Sequence, residues 1–174
     1  DARDVAAAMA DVYLMWPDTF DAVREIIADM RERAAGYDRT LRFGYRVHVI
    51  VRETEDEARE HAAYLVAALD DEVGRAIRNK SLDATSIGVA RQGELRDIAD
   101  DDGYAEPNLW TGIGRARSGC GAAIVGSPEQ VIEKLRAYQS LGIEAFILSG
   151  YPHIEECRYF GELVLPHLEH GPLH

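Results

Sequence analysis

The sequence predicts an α/β chain of parallel strands and covering helices, built as half of a TIM-type (β/α)8 barrel. Apolar strands and amphipathic helices alternate four times, which calls for parallel strands joined by right-handed crossovers. Strands paired in sequence order put every helix on one side of the sheet and leave the other face bare until more strands close over it. With 174 residues the chain falls well short of the roughly 250 of a full barrel, so it reads as one partial domain, residues 1–174.

Each element has its own signal. Residues 2–10 favour a helix, and Val12 to Trp16 form a short apolar strand stopped by Pro17. Asp18 is placed to cap a helix in which Phe20, Val23, Ile27, Met30 and Ala34 recur at helical spacing until Gly36 ends it. The long strand 41–52 sets Phe43, Tyr45, Val47, Val49 and Val51 on one face and Arg42, Gly44, Arg46, His48, Ile50 and Arg52 on the other. Thr54-Glu55-Asp56-Glu57 is a capping box in front of a helix running toward Arg78, with acids at the positive end of its dipole.

From Asn79 to Gly121 the pattern loosens into weak helical pieces, and 80–121 is expected to be an inserted, mobile lid. A strand follows at 122–125. Ser127-Pro128-Glu129-Gln130 supplies an N-cap, a first-turn proline and a capping-box Gln for a helix buried through Val131, Leu135, Tyr138 and Leu141. The last strand, 145–148, leads through Ser149 to His153 into a helix from Ile154 to about Leu168.

Composition narrows the function. A formal charge of −12 argues against a nucleic-acid partner, which needs a basic stripe. No apolar run approaches the roughly 18–20 residues of a membrane span. The opening Asp-Ala-Arg-Asp lacks a leader and an initiator Met, and reads as a trimmed or partial chain. Cys120 and Cys157 form neither a disulfide framework nor a metal pair, which fits a reducing, cytoplasmic setting. Cys120 reads as a small packed residue, and His167, His170 and His174 as an incidental tail, so no metal is expected.

In the barrel frame Trp16, His48, the loop before Ala122 and the Ser149–His153 segment gather at the carboxyl ends of the strands, where barrel enzymes keep their chemistry. Arg46 and His48 point the same way about 6–7 Å apart along their strand. That arrangement suits a catalytic strand end, and equally an edge strand with both residues in solvent. Arg115 and Arg117 stand between Pro107 and Pro128 in a stretch with no Asp or Glu. They either present guanidinium groups to a sulfonate, phosphate or carboxylate, or are solvated and pair with acids elsewhere. Gly112-Ile113-Gly114 lacks the third glycine and the position of a nucleotide fingerprint.

The stretches Arg42-Phe43-Gly44-Tyr45-Arg46-Val47-His48-Val49-Ile50-Val51-Arg52-Glu53-Thr54, Asn108-Leu109-Trp110-Thr111-Gly112-Ile113-Gly114, Ala123-Ile124-Val125-Gly126 and Leu148-Ser149-Gly150-Tyr151-Pro152-His153 are distinctive together. They resemble the C-terminal half of the flavin-dependent alkanesulfonate monooxygenases, in the bacterial-luciferase-like superfamily, over nearly the whole chain. That resemblance implies a luciferase-like barrel taking reduced FMN from an NAD(P)H-dependent flavin reductase and using dioxygen to cleave an alkanesulfonate to aldehyde and sulfite. Matched by motif, Arg46, His48, Arg117 and Tyr151 are expected to be catalytic; Tyr151, with Trp16 from its strand end, is expected to line the flavin. The family's active-site cysteine and flavin-phosphate residues belong to the other half, upstream of Asp1.

The chain alone is therefore expected to be inactive, and to associate with a missing half or a second copy as a homo-oligomer. Two alternatives stand beside this reading. One is a luciferase-like relative acting on another substrate, such as a sulfone, or using deazaflavin. The other is a non-catalytic flavin- or partner-binding half-barrel.

Overall fold

The computed structural model describes residues 2–70, 72–74, 76, 86–115 and 121–172. In chain order they form α1 (Ala2–Met9), β1 (Val12–Met15), α2 (Phe20–Ala35), β2 (Arg42–Val51), α3 (Glu55–Val66), α4 (Ile87–Asp97), β3 (Tyr104–Glu106) and β4 (Leu109–Trp110). A 3₁₀ turn at Gly112–Arg115 is followed by β5 (Ala123–Gly126), α5 (Pro128–Ser140), β6 (Ile143–Ser149), α6 (His153–Leu163) and a second 3₁₀ turn at Leu165–His167.

β2 is the axis of the sheet. β1 runs parallel to its first half, Val12 opposite Arg42 to Met15 opposite Tyr45, and β5 parallel to its second, His48 opposite Ala123 to Val51 opposite Gly126. Arg42 and His48 donate their backbone N–H groups to Asp11 and Ala122 respectively. Alternate residues of a strand point to the same edge, so β1 and β5 follow one another along one edge of β2. β6 pairs with residues 43–48, overlapping the β1 register, and therefore lies on the opposite edge.

Pairing thus departs from sequence order. The edge of β5 that sequence order would give to β6 is taken by β4, which runs antiparallel to it with Leu109 opposite Ile124. β6 satisfies its backbone groups on the free edge of β2 instead. The intruding strand comes from the segment expected to be a lid. Its described part is α4 and the β3–β4 hairpin, whose turn is held where Asn108 Nδ2 donates to the Val125 carbonyl at 2.8 Å. Gly112 is dictated by packing, since a Cβ there would sit 2.1 Å from the Trp110 ring.

The second departure concerns the face expected to be bare. Phe43, Tyr45, Val47, Val49 and Val51 pack with Ile27 and Met30 of α2 and Leu135 and Tyr138 of α5. On the opposite face, Ile50, Ala123 and Val125 pack with Ala58, Ala62 and Val66 of α3. Those three recur every four residues, and the two small side chains among them let α3 lie close against the strands. Only the amino-terminal part of this face stays open, with Leu14 and Ile147 each 48% exposed.

Local signals fared well where they concerned caps. Thr54 Oγ1 accepts from the Glu57 N–H at 3.2 Å while Glu57 accepts from the Thr54 N–H at 3.1 Å, and Ser127 and Gln130 do the same. α2 is the exception, capped by Thr19 rather than Asp18. The buried Asp18 carboxylate instead accepts from the Arg91 fork at 2.6 and 3.1 Å, a partner that a carboxylate out of water requires.

Candidate active site

His48 projects from the α3-covered face of β2 and is only 3% exposed. β2 is paired along both edges, so the edge-strand reading of Arg46 and His48 does not hold. In the β2–β6 register His48 stands opposite Ser149, and Arg46, which is half-buried, opposite Ile147. Opposed residues in parallel strands share a face, and the consequence is direct: Ser149 Oγ lies 2.8 Å from His48 Nδ1.

Tyr151 arrives just past the end of β6, its ring 5.5 Å from the His48 ring and 4.6 Å from that of His153. It also packs against the α3-side cluster. Arg46, His48 and Tyr151 are thus gathered on one side of the sheet, from the middle of β2 to just past the end of β6. Trp16, just past β1, lies against α4, where a Cβ on Gly88 would come within 3.2 Å of its indole. Arg117 and Cys120 lie outside the described residues. Arg115 lines a cavity of about 700 Å³ with Arg59, Arg96, Asp100, Asp102 and Trp110.

Sequence reasoning missed two contributors. Ser149 was visible as part of its motif, but its pairing with His48 depends on β6 sitting beside β2. The other is a charge cluster at the exit of β2. Arg52 Nη2 donates to Glu156 Oε1 at 2.6 Å, with side-chain exposures of 11% and 4%, and His61 Nε2 lies 3.5 Å from the same oxygen. Glu156 and Arg52 are 104 residues apart, and no local pattern announces the pair. A cavity of about 530 Å³ opens over Arg52, His61, Tyr64 and Tyr159, rimmed by Glu53, Glu57 and Glu60.

Burial pushes the His61 imidazole below its ordinary value of 6.5, Arg52 adds to the shift, and Glu156 and Glu155 oppose it. A base whose folded-state pKa is depressed binds fewer protons folded than unfolded, so stability rises with pH. The contribution is complete above 6.5 and is lost as pH falls from there toward the lowered value. Glu55, also shifted down, contributes only from 4.5 and below, outside that interval. Urea unfolding of His61→Gln should therefore show a flatter stability profile between 6.5 and 4.5 than the native chain. Identical slopes would remove His61 as the source.

Among the described residues no group of three or more His, Cys, Asp or Glu could hold a metal ion, and no helix is long and apolar enough to cross a membrane. A model of the luciferase-like monooxygenase family matches residues 1–145. The chain is 71% identical over 173 residues to a sulfoquinovose monooxygenase of Novosphingobium aromaticivorans, covering 99% of this chain and 48% of that protein. It is 56% identical over 169 residues to a sulfoquinovose monooxygenase of Agrobacterium fabrum, covering 97% and 44%.

The chain spans about half the length of the curated relatives it matches. Among solved structures it resembles a riboflavin lyase with a TM-score of 0.68 at 17% identity, covering 95% of this chain and 40% of that one. An EDTA monooxygenase from Chelativorans sp. BNC1 gives 0.62 at 18% identity, covering 95% and 43%. These likenesses carry the fold, which is α/β and of the luciferase-like TIM-barrel type.

Proposed function

Because the chain belongs to the luciferase-like monooxygenase family, we propose that it is the C-terminal half of a two-component monooxygenase that uses reduced FMN and dioxygen to cleave the C–S bond of a sulfonate. An NAD(P)H-dependent flavin reductase supplies the flavin. The observation that carries this reading is the likeness, over virtually all of this chain, to two sulfoquinovose monooxygenases. Sulfoquinovose is a sulfonated sugar, so a sugar sulfonate is the substrate of first choice, ahead of a simple alkanesulfonate.

The residues suit the flavin as well as the sulfonate. Val12, Leu14, Ala145 and Ile147 make the open part of the inner sheet face apolar, with the half-buried Arg46 at its end and Tyr151 beyond. A planar aromatic ring system with one polar rim fits such a surface, and Tyr151 would hold it. FMN would supply the reducing electrons and the activated oxygen. Arg46 binds the anionic sulfonate through a two-donor fork, joined by Arg117. His48, buried beside Tyr151, hydrogen-bonds or moves a proton near neutral pH, and the Tyr151 phenol donates a hydrogen bond to the oxygen transferred. The complementary half covers the strip around Leu14 and Ile147, shuts out water and contributes the flavin-phosphate site.

Sulfite release tests this reading. The chain joined to the complementary half-length of its relatives, given reduced FMN, dioxygen and sulfoquinovose, is expected to release sulfite, and the 174-residue chain alone is expected to release none. No sulfite from the complete protein with either sulfoquinovose or octanesulfonate would sink the function. Turnover by the isolated chain would sink the requirement for a second half.

A further inference from the structure

We infer that Ser149 is a positioning residue for His48: its hydroxyl holds Nδ1 and so fixes the orientation of the imidazole. The register makes this contact a property of the sheet, because Ser149 and His48 are paired residues of β6 and β2 and their side chains leave the same face. The hydroxyl oxygen is 2.8 Å from Nδ1, and the ring is only 3% exposed, so bulk water is not at hand to replace the bond.

A serine suits a histidine that changes protonation state. Its hydroxyl donates to the bare Nδ1 of one neutral tautomer and, by rotating, accepts from Nδ1–H in the other tautomer or in the imidazolium. A carboxylate could only accept, and would bias the ring toward its charged form. Tyr151, beyond β6, also approaches the ring and itself meets His153. Tyr151 meets the ring at a centroid distance of 5.5 Å, and an imidazole that turned about its Cβ–Cγ bond would change what it offers Tyr151. The catalytic meaning of the contact rests on the proposed monooxygenase reading; its existence does not.

The test is spectroscopic and uses the 174-residue chain with ¹⁵N-labelled histidine. The His48 Nδ1 is expected to resonate as a hydrogen-bonded ring nitrogen at neutral pH. Ser149→Ala, which removes the hydroxyl with little change of shape, is expected to move the Nδ1 resonance. Ser149→Thr, which restores a hydroxyl on a β-branched, strand-favouring side chain, is expected to return the native pattern. If Ser149→Ala does not fold, Ser149→Cys keeps the size with a far weaker donor and should show the same displacement in smaller degree.

Native-like His48 resonances in the alanine variant, or a threonine variant that matches alanine, would overturn the assignment. Sulfite release by the complete protein is scored separately. Absent turnover with the spectral change intact counts against the function alone, and turnover without the spectral change counts against Ser149 alone.

Discussion

Replacing Glu156 by alanine should cost roughly 3–5 kcal/mol of stability, the scale of breaking one partner out of a buried ion pair. The Glu156 side chain is 4% exposed and the Arg52 side chain 11%, and they meet at 2.6 Å. With the carboxylate gone, the Arg52 guanidinium keeps its charge in a site that water barely reaches. Its remaining hydrogen bond is to the Val51 carbonyl at 2.7 Å, and its face lies 4.4 Å from the Tyr159 ring centroid, contacts that do not neutralise it.

Two controls separate the charge from the packing. Glu156→Gln keeps an acceptor for Arg52 and should fall between alanine and the native chain. Glu156→Leu combined with Arg52→Met removes both charges and should recover most of the loss, since a buried pair is worth little over apolar residues of similar volume. Urea unfolding of the four proteins makes the measurement. A double variant that recovers nothing relative to Glu156→Ala would mean that the stranded Arg52 charge is not the source of the loss.

Why this cluster was invisible in the sequence, while the caps and core faces were not, comes down to range. A capping box is written within four residues, as in Thr54 to Glu57, and a strand face within ten, as in Phe43 to Val51. Both depend on backbone periodicity alone. The placement of β6 depends on which edge of β5 is free, and that was decided by Leu109 and Trp110 in a stretch whose composition looked like a loop. Three residues of β3 and two of β4 are too short for any alternation to register.

The covering of the inner face failed for a related reason. Ala58, Ala62 and Val66 are as good on an outward helix as on one folded over a sheet, and only the partner face distinguishes the two. The candidate residues that share one strand, Arg46 and His48, were therefore legible together. The contact of Ser149 with His48 was not, because it depends on the register. Tyr151 was expected from the resemblance of its motif, and its 5.5 Å approach to His48 is a consequence of that same register.

In the complete protein, Arg46→Lys should lower sulfite turnover by about 10²-fold, the scale of losing one well-aimed donor from a charge-stabilising site. Lysine keeps the positive charge but replaces the planar fork with a single ammonium, so it reports on two-point recognition of the sulfonate and not on charge alone. The half-buried setting of Arg46 opposite Ile147 makes its aim part of the sheet geometry. Arg117→Lys, by the same motif match, should impair turnover comparably.

Arg115→Lys is the internal control. Arg115 lies at the end of the Gly112–Arg115 turn, lines the cavity it shares with Asp100 and Asp102, and has no counterpart among the motifs that carry the resemblance. Its substitution should leave turnover close to unchanged. Steady-state sulfite release by the three variants, with thermal melts to confirm folding, makes the comparison. Three equal and small effects would take the arginines out of substrate recognition and leave the sulfonate without a binding group on this chain. An Arg115 variant as impaired as the other two would place the anion at the cavity beside Trp110 instead.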